Sequence, residues 1–373
     1  MRISLIGPVY PYRGGIAHHT AMLDSALREG GHDTQVISFR RQFPNWLYPG
    51  KSDKDPSKRP IQASVNSEYI IDPFYPWTWK ECSDRISAFQ PDLIVIQWWT
   101  TFWAVPFGMI VNNLRKRGFR VVFIIHNVFP HEARFWDKWL TEMALGKGDH
   151  FVVQSPQEEQ RLTSFMPEAD VHLCQIPVYS LFLNGKISRK EARRKLDLPL
   201  DVSVLLFFGI VRRYKGLATL IDALALLAKE GIQPLLVIAG EFWDDKAQYL
   251  DQIEKHQIAD QLIIDDRYVP DEEVSVYFSA ADVMVAPYTQ GTQSAVAVSA
   301  MGFGLPLIVS EQIADGFIHP KDDFLYVVPA GDAQALADTI RVFHNLFDSS
   351  EKKTKPTSSD WWRMVKTLEE IAT

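Results

Sequence analysis

Short apolar runs alternate with helix-spaced stretches along nearly the whole chain. Ile3–Ile6 reads as a buried strand, and Pro8–Gly15 as a loop rich in proline and glycine. Ile16–Arg28 has helical spacing, with Ala17, Met22, Leu23, Ala26 and Leu27 available for one face. Gly30-Gly31 ends that helix and Thr34–Phe39 follows as a second strand. A strand, a helix and a strand in this order call for parallel pairing and a right-handed crossover. Arg40–Pro76 then breaks the pattern and reads as a long excursion rich in proline, charge and aromatic residues. Long excursions from compact domains are often functional.

The alternation resumes with strands at Leu93–Gln97, Val121–Ile125 and His150–Gln154 and helices near Val105–Arg117 and Lys138–Leu145. A further helix opens at Ser155, where Glu158 completes a capping box. A second series follows Val171–Pro177. Its predicted helices are Arg189–Leu196, Leu217–Lys229, Asp245–His256, Glu272–Ala280, Ser294–Met301, Ala333–Leu346 and Asp360–Ala372. Its strands are Val202–Phe208, Pro234–Ala239, Leu262–Ile264, Val283–Ala286, Leu307–Val309 and Tyr326–Val328, the first apolar throughout and so buried on both faces. Two such series imply an α/β chain of two Rossmann-like, doubly wound domains facing across a cleft. The expected division is 1–182 and 183–359, with a joint near Val178–Ile187 and a final helix at 360–373 crossing back to the first domain. No repeat at solenoid period is visible.

The length of 373 residues fits two cores. The net charge of −7 comes without a basic stripe, since Arg189–Lys195 and Glu351–Lys355 are local, so a nucleic-acid partner is not expected. Cys82 and Cys174 stand alone, form no CxxC pair and suit a reducing cytoplasm. The first residues read as a strand rather than a signal peptide. No apolar run reaches the ~20 residues that span a bilayer.

Three segments then carry a resemblance: Pro11-Tyr-Arg-Gly-Gly-Ile-Ala-His-His, Phe208-Gly-Ile-Val-Arg-Arg-Tyr-Lys-Gly-Leu, and Ala281-Asp-Val-Met-Val-Ala-Pro-Tyr continuing through Thr292-Gln-Ser to Gly304-Leu-Pro306. In order and separation the chain resembles GT-B glycosyltransferases of the retaining, family-4 type. The resemblance implies a sugar moved from a nucleotide-diphosphate sugar to a glycan or lipid-linked acceptor, without a metal or other cofactor. Aromatic residues in the excursion add the expectation of peripheral contact at the inner face of the membrane if the acceptor is lipid-linked.

Gly14 and Gly15 sit between the first strand and the first helix, where glycine admits a ligand and a helix N-terminus favours anions. The pair alone reads better as a tight turn. The resemblance makes it a lining for the donor diphosphate and the acceptor. Arg212, Arg213 and Lys215 follow a buried strand at its carboxyl end, where α/β sheets bind ligands. Fixed cations there stabilise the charge that a departing diphosphate gains. The resemblance assigns that task to Arg212 and Lys215 and leaves Arg213 as a solvated neighbour. The family's two glutamates, spaced by seven residues, fall here on Gly291 and Ser299. Thr292, Gln293 and Ser294 fill the turn instead, as donor contacts or as simple helix caps. His126 ends the strand Val121–Ile125, and the resemblance sets it beside the reacting sugar; His131 and Glu132 are weaker cleft candidates. His18 and His19 face either the acceptor or solvent. The resemblance puts Glu241 near the nucleotide and Tyr268 at its base.

Asp53-Lys-Asp55 is the sole DxD and lies in the excursion, so no metal site is expected from it. In Gln97-Trp-Trp-Thr-Thr-Phe-Trp, core packing is expected for two of the three tryptophans. Trp46-Leu-Tyr48 and Trp77-Thr-Trp79 are candidates for a bilayer surface. Two rival readings stand beside the transferase. A GT-B epimerase would need a carboxylate pair that is not evident. A non-catalytic sugar-nucleotide binder is favoured by the missing glutamates.

Overall fold

The computed structural model describes residues 1–44, 46–58, 67–130, 134–316, 325–345 and 361–373. These divide into two compact units, one of residues 1–55, 67–177 and 361–373 and the other of 56–58 and 178–345.

In chain order the first unit contains β1 (Arg2–Ile6), α1 (Gly15–Glu29), β2 (Asp33–Phe39), β3 (Ser67–Ile71), α2 (Pro76–Phe89), β4 (Leu93–Trp98), α3 (Ala104–Arg115), β5 (Val121–Ile125), α4 (Asp137–Leu145), β6 (His150–Val153), α5 (Pro156–Phe165) and β7 (Val171–Leu173). The strands form one parallel sheet in the order β3-β2-β1-β4-β5-β6-β7. The central strands are apolar along their length because helices cover both faces, which removes the alternation of a half-exposed strand. The excursion is shorter than its polar composition implies. Ser67–Ile71 adds the edge strand β3, and Pro76 opens α2 from a first-turn position that needs no N–H donor. α2 also turns Trp79 inward, its indole N–H donating to the Asp72 carbonyl at 2.7 Å. Trp79 therefore leaves the set of lipid-facing candidates, whereas Trp46 and Trp77 are exposed. Tyr48 leaves it too, half-buried with its hydroxyl accepting from Arg13 Nε at 3.0 Å. Trp98 and Trp103 are in the core and Trp99 packs on its edge. Only half of the capping box forms. Ser155 accepts from the Glu158 N–H, but the Glu158 carboxylate turns to the Val128 N–H and to Arg161.

The second unit contains α6 (Arg189–Lys195), β8 (Val204–Phe208), α7 (Leu217–Lys229), β9 (Leu235–Ala239), α8 (Lys246–His256), β10 (Leu262–Asp265), α9 (Asp271–Ala280), β11 (Val283–Ala286), α10 (Ala295–Phe303), β12 (Leu307–Ser310), α11 (Glu311–Ala314), β13 (Leu325–Val328) and α12 (Ala333–Asn345). Its parallel sheet runs β10-β9-β8-β11-β12-β13. The last helix, α13 (Trp361–Ala372), returns to the first unit. Trp361, Met364, Val365, Leu368 and Ile371 give it one buried stripe, and His32 bonds Glu369 at 3.0 Å. Among the described residues, no helix is long and apolar enough to cross a membrane. Lys352–Ser359, His131 and Glu132 lie outside the described residues.

Strand order reverses once in each sheet, between β1 and β4 and between β8 and β11. Ligands of open α/β sheets settle beyond the carboxyl ends of strands at such switch points. The loops to watch are therefore those after β1 and β4, and those after β8 and β11.

One buried ion pair anchors the second unit. Arg193 is fully buried, with Nη2 2.5 Å from Asp282 Oδ2 and its other donors on the carbonyls of Ala280, Pro199 and Val202. Asp282 also takes the Val204 N–H at 2.7 Å, which ties the pair to the first residue of β8. Asp282→Ala leaves a buried guanidinium uncompensated and is expected to cost about 3–5 kcal/mol. Denaturant unfolding checks this, and a loss below about 1 kcal/mol, the level of an exposed pair, would show that the pair is not structural.

Candidate functional site

In the second unit, the loop after β8 begins at Gly209 and closes at Gly216, the residue before α7. Both glycines have positive φ, 94° and 75°. A Cβ on Gly216 would lie 1.9 Å from the Pro287 carbonyl oxygen, so only glycine lets the loop after β8 touch the loop after β11. Between the two glycines a short 3₁₀ turn, Arg213–Lys215, swings Lys215 inward. Lys215 is buried, and its Nζ lies 3.4 Å from where a Gly209 Cβ would stand; Val296 Cγ2, in the first turn of α10, lies at the same distance. The Tyr288 ring centre is 5.7 Å from Nζ. Among the described residues no carboxylate pairs with this ammonium. Burial pulls its pKa below the ordinary lysine value, with Arg212 adding to the depression and Tyr214 opposing it.

Arg212 is half-buried, its guanidinium 5.8 Å from the Tyr214 ring centre, and Arg213 is exposed. α10 opens on Ser294, whose Oγ accepts from the Ala297 N–H at 3.3 Å and lies 3.2 Å from the Tyr288 hydroxyl. Thr292 is buried, and its hydroxyl has no hydrogen-bond partner among the described residues. Gln293 is half-buried and Gly291 has φ 122°. A buried cation, a glycine that leaves room and a helix N-terminus form a receptor for an anion with several oxygens. Ser299 does not extend it, because its hydroxyl donates to the Ala295 carbonyl of its own helix at 2.8 Å. Glu241 is buried after β9, and its carbonyl accepts from the Val211 N–H at 2.9 Å. Tyr268 is half-buried, beyond Asp265 and Arg267, which pair with each other at 3.0 Å.

In the first unit, Gly14 precedes α1 with φ 107° and Gly15 is its first residue. The DxD segment is tied to this loop by its backbone, Asp55 N–H to the Pro11 carbonyl and Arg13 N–H to the Asp53 carbonyl. His126, just past β5, is 6% exposed; its Nε2–H donates to Gln97 Oε1 at 2.6 Å. Its ring meets His19 edge-on at 4.8 Å, and His19 in turn lies 5.0 Å from Trp361 of α13 and 2.7 Å from the Gln154 amide. His19 is therefore buried rather than facing solvent. Gln97, Gln154 and Trp361 join the site although no motif marks them. The signal was a polar residue at the carboxyl end of an apolar strand, as Gln97 is in β4 and Gln154 just after β6. His19 Nδ1 and Gln97 Nε2 are buried polar atoms with no protein partner among the described residues. Burial pushes the His126 pKa down to about 3, the Gln154 amide opposing in part. Burial and then His126 hold His19 well below the ordinary range. Both rings are neutral near pH 7.

With this geometry in place, the chain matches two families of known proteins. Residues 13–178 match the family described as Glycosyltransferase Family 4, and residues 188–355 the one described as Glycosyl transferases group 1. TuaC of Bacillus subtilis, named for teichuronic acid biosynthesis, is 27% identical over 63% of this chain and 55% of its own length. A D-inositol 3-phosphate glycosyltransferase of Catenulispora acidiphila is 30% identical over 44% of this chain and 42% of its own. The matched stretches thus span about half of these relatives. Among solved structures, Anabaena HepE with UDP and glucose superposes with a TM-score of 0.72 at 16% identity, over 100% of this chain and 99% of that one. Sucrose-phosphate synthase of Thermosynechococcus elongatus gives 0.70 at 21%, over 100% and 96%. These structures establish the GT-B fold.

The two neutral histidines make the first unit sensitive to acid. Their folded pKa values lie below the unfolded value near 6.5, so stability is intact above that pH and falls as the pH drops below it. The apparent Tm is expected to drop more steeply from pH 7 to pH 5 in the wild type than in His126→Asn. Equal slopes would exclude His126 as a source of the sensitivity.

Proposed function

The chain belongs to the GT-B glycosyltransferases of the family-4, group-1 type, and from that premise we propose that it moves a sugar from a nucleotide-diphosphate sugar to a glycan or lipid-linked acceptor, with retention of configuration. The observation that carries this reading is the Lys215 ammonium, buried beside Gly209 and the first turn of α10 with no carboxylate partner among the described residues. A buried cation of that kind calls for an anion. In the proposed reaction the diphosphate fills this role, and it gains charge as the sugar bond breaks. Lys215 and Arg212 then stabilise the transition state more than the bound donor. Thr292, Gln293, Ser294 and the start of α10 hold phosphate or sugar oxygens, and Glu241 and Tyr268 lie toward the nucleotide. In this reading residues 183–359 bind the donor and residues 1–182, with the last helix, bind the acceptor. Gly14 and Gly15 line the donor and acceptor, and His126 stands beside the reacting sugar as a neutral hydrogen-bonding group. No metal or other cofactor takes part. Trp46 and Trp77, exposed on the first unit, supply the contact with a membrane surface if the acceptor is lipid-linked.

A second reading has one specific observation in its favour. The carboxylates that the resemblance places just before and within α10 are replaced by Gly291 and by Ser299, whose hydroxyl donates inside its own helix. A donor-binding protein without turnover would look this way. Slow hydrolysis of one donor in a panel of UDP, GDP and ADP sugars is expected of the transferase; binding without hydrolysis or transfer would favour the silent binder.

Donor binding itself has a direct check. A ligand at a hundred times its Kd stabilises the folded state by about 2.7 kcal/mol. One member of the panel is expected to raise the Tm, with UDP tried first because HepE was solved with it. Lys215→Ala is expected to abolish that rise. Affinity is also expected to fade with rising pH sooner than an ordinary lysine would dictate, as Lys215 loses its proton. An unchanged Tm rise in the variant would move the diphosphate elsewhere.

A further inference from the structure

At the far edge of the first sheet, away from its switch point, three potential metal ligands stand together. In the parallel register Phe151 lies opposite Val171 and Val152 opposite His172. The same register sets His150 level with Asp170. Side chains two apart on a strand share a face, so Asp170 and His172 project on one side of β7 and His150 faces Asp170 from β6. His150 Nδ1 is 2.7 Å from Asp170 Oδ2, and His172 Nε2 is 3.4 Å from Asp170 Oδ1. The ring centres are 6.0 Å apart, and one donor atom from each residue falls within 4.8 Å of the others. His172 Nε2 is buried from solvent and forms no hydrogen bond among the described residues, although the side chain as a whole is 33% exposed.

We propose that His150, Asp170 and His172 form a transition-metal site of the Zn²⁺ class on the β6–β7 edge. Bonds of about 2.0–2.1 Å to imidazole nitrogen and 2.0–2.2 Å to carboxylate oxygen bring tetrahedral ligands to a little over 3 Å from one another. The His172–Asp170 distance of 3.4 Å already matches that spacing, and the 2.7 Å His150–Asp170 hydrogen bond would open by about half an ångström as the metal replaces its proton. The remaining closure is a rotation of side chains that are 23% to 57% exposed and so unhindered by the core. Two imidazoles and one carboxylate suit Zn²⁺, Ni²⁺ or Cu²⁺ and not Mg²⁺ or Ca²⁺, which take oxygen ligands. A water completes the sphere. The site lies at the amino-terminal start of β6, so it is a structural clamp with no part in sugar transfer. It fastens β7, an edge strand of three residues that among the described residues pairs only with β6, at the point where the chain leaves the first unit through Cys174 to Pro177.

The test uses the untagged full chain, so that no added histidines compete. Calorimetric titration with ZnCl₂ at pH 7.5 is expected to show about one strong site per chain, together with a rise in Tm that MgCl₂ and CaCl₂ do not cause. His172→Asn and His150→Asn, both at half-exposed positions, are each expected to weaken binding by more than the roughly tenfold to hundredfold that outer-shell changes produce. Cu²⁺ bound in place of Zn²⁺ should show coupling to two imidazole nitrogens in its paramagnetic resonance spectrum, reduced to one in either variant. Zinc affinity that is absent in the wild type, or equal in the wild type and the His150→Asn/His172→Asn double variant, overturns the proposal.

Discussion

A lysine ammonium buried at the carboxyl end of a parallel sheet, with no carboxylate to balance it among the described residues, is the constraint on which the proposed site depends. Its burial follows from the backbone. Gly216 can approach the Pro287 carbonyl because it lacks a Cβ, and that contact folds the loop after β8 so that Lys215 points inward. The same contact joins the two loops that flank the strand-order reversal, so the cation, the room beside Gly209 and the start of α10 meet in one place. Charge of this kind is costly to bury in the free protein. A bound anion would offset that cost, which is the physical basis of the proposed diphosphate site.

The first unit uses its own switch point differently. The loop ends after β1, β4, β5 and β6 bring together amides and neutral imidazoles rather than charge. This network is buried, so its hydrogen bonds are made mainly within the protein. Trp361 reaches His19 from the last helix, so the end of the chain helps build this network. Deleting that helix would expose the His19 ring and the apolar stripe of α1 beneath it.

Much of this was legible in the sequence for physical reasons. Strands such as Val121–Ile125 and Val204–Phe208 are apolar on both faces, and that reads as a covered parallel sheet. Leu217–Lys229 is periodic enough to fix both its ends. Arg212, Arg213 and Lys215 stood out together as cations at the carboxyl end of a buried strand, and only the resemblance separated Arg212 and Lys215 from Arg213. The excursion was harder. In Ser67–Ile71 only the last two residues are buried, and the first turn of Pro76–Phe89 is aromatic, so neither shows a clean period. The Gln97 and Gln154 contacts were invisible because an amide carries no motif; its meaning comes from the ring it meets. Ser299 shows the converse case. Alignment with a motif named the position, while its hydroxyl was already committed to the helix backbone.

The most direct test of the central claim is whether Lys215 and the second phosphate of the ligand recognise each other. Calorimetry would compare a nucleoside diphosphate with its monophosphate, each against the wild type and Lys215→Met. A charge-assisted contact is expected to give the diphosphate an advantage of about tenfold or more in the wild type, and that advantage is expected to collapse in the variant. If the diphosphate keeps the same advantage without the lysine, Lys215 is not its counter-ion and the account of the second unit fails.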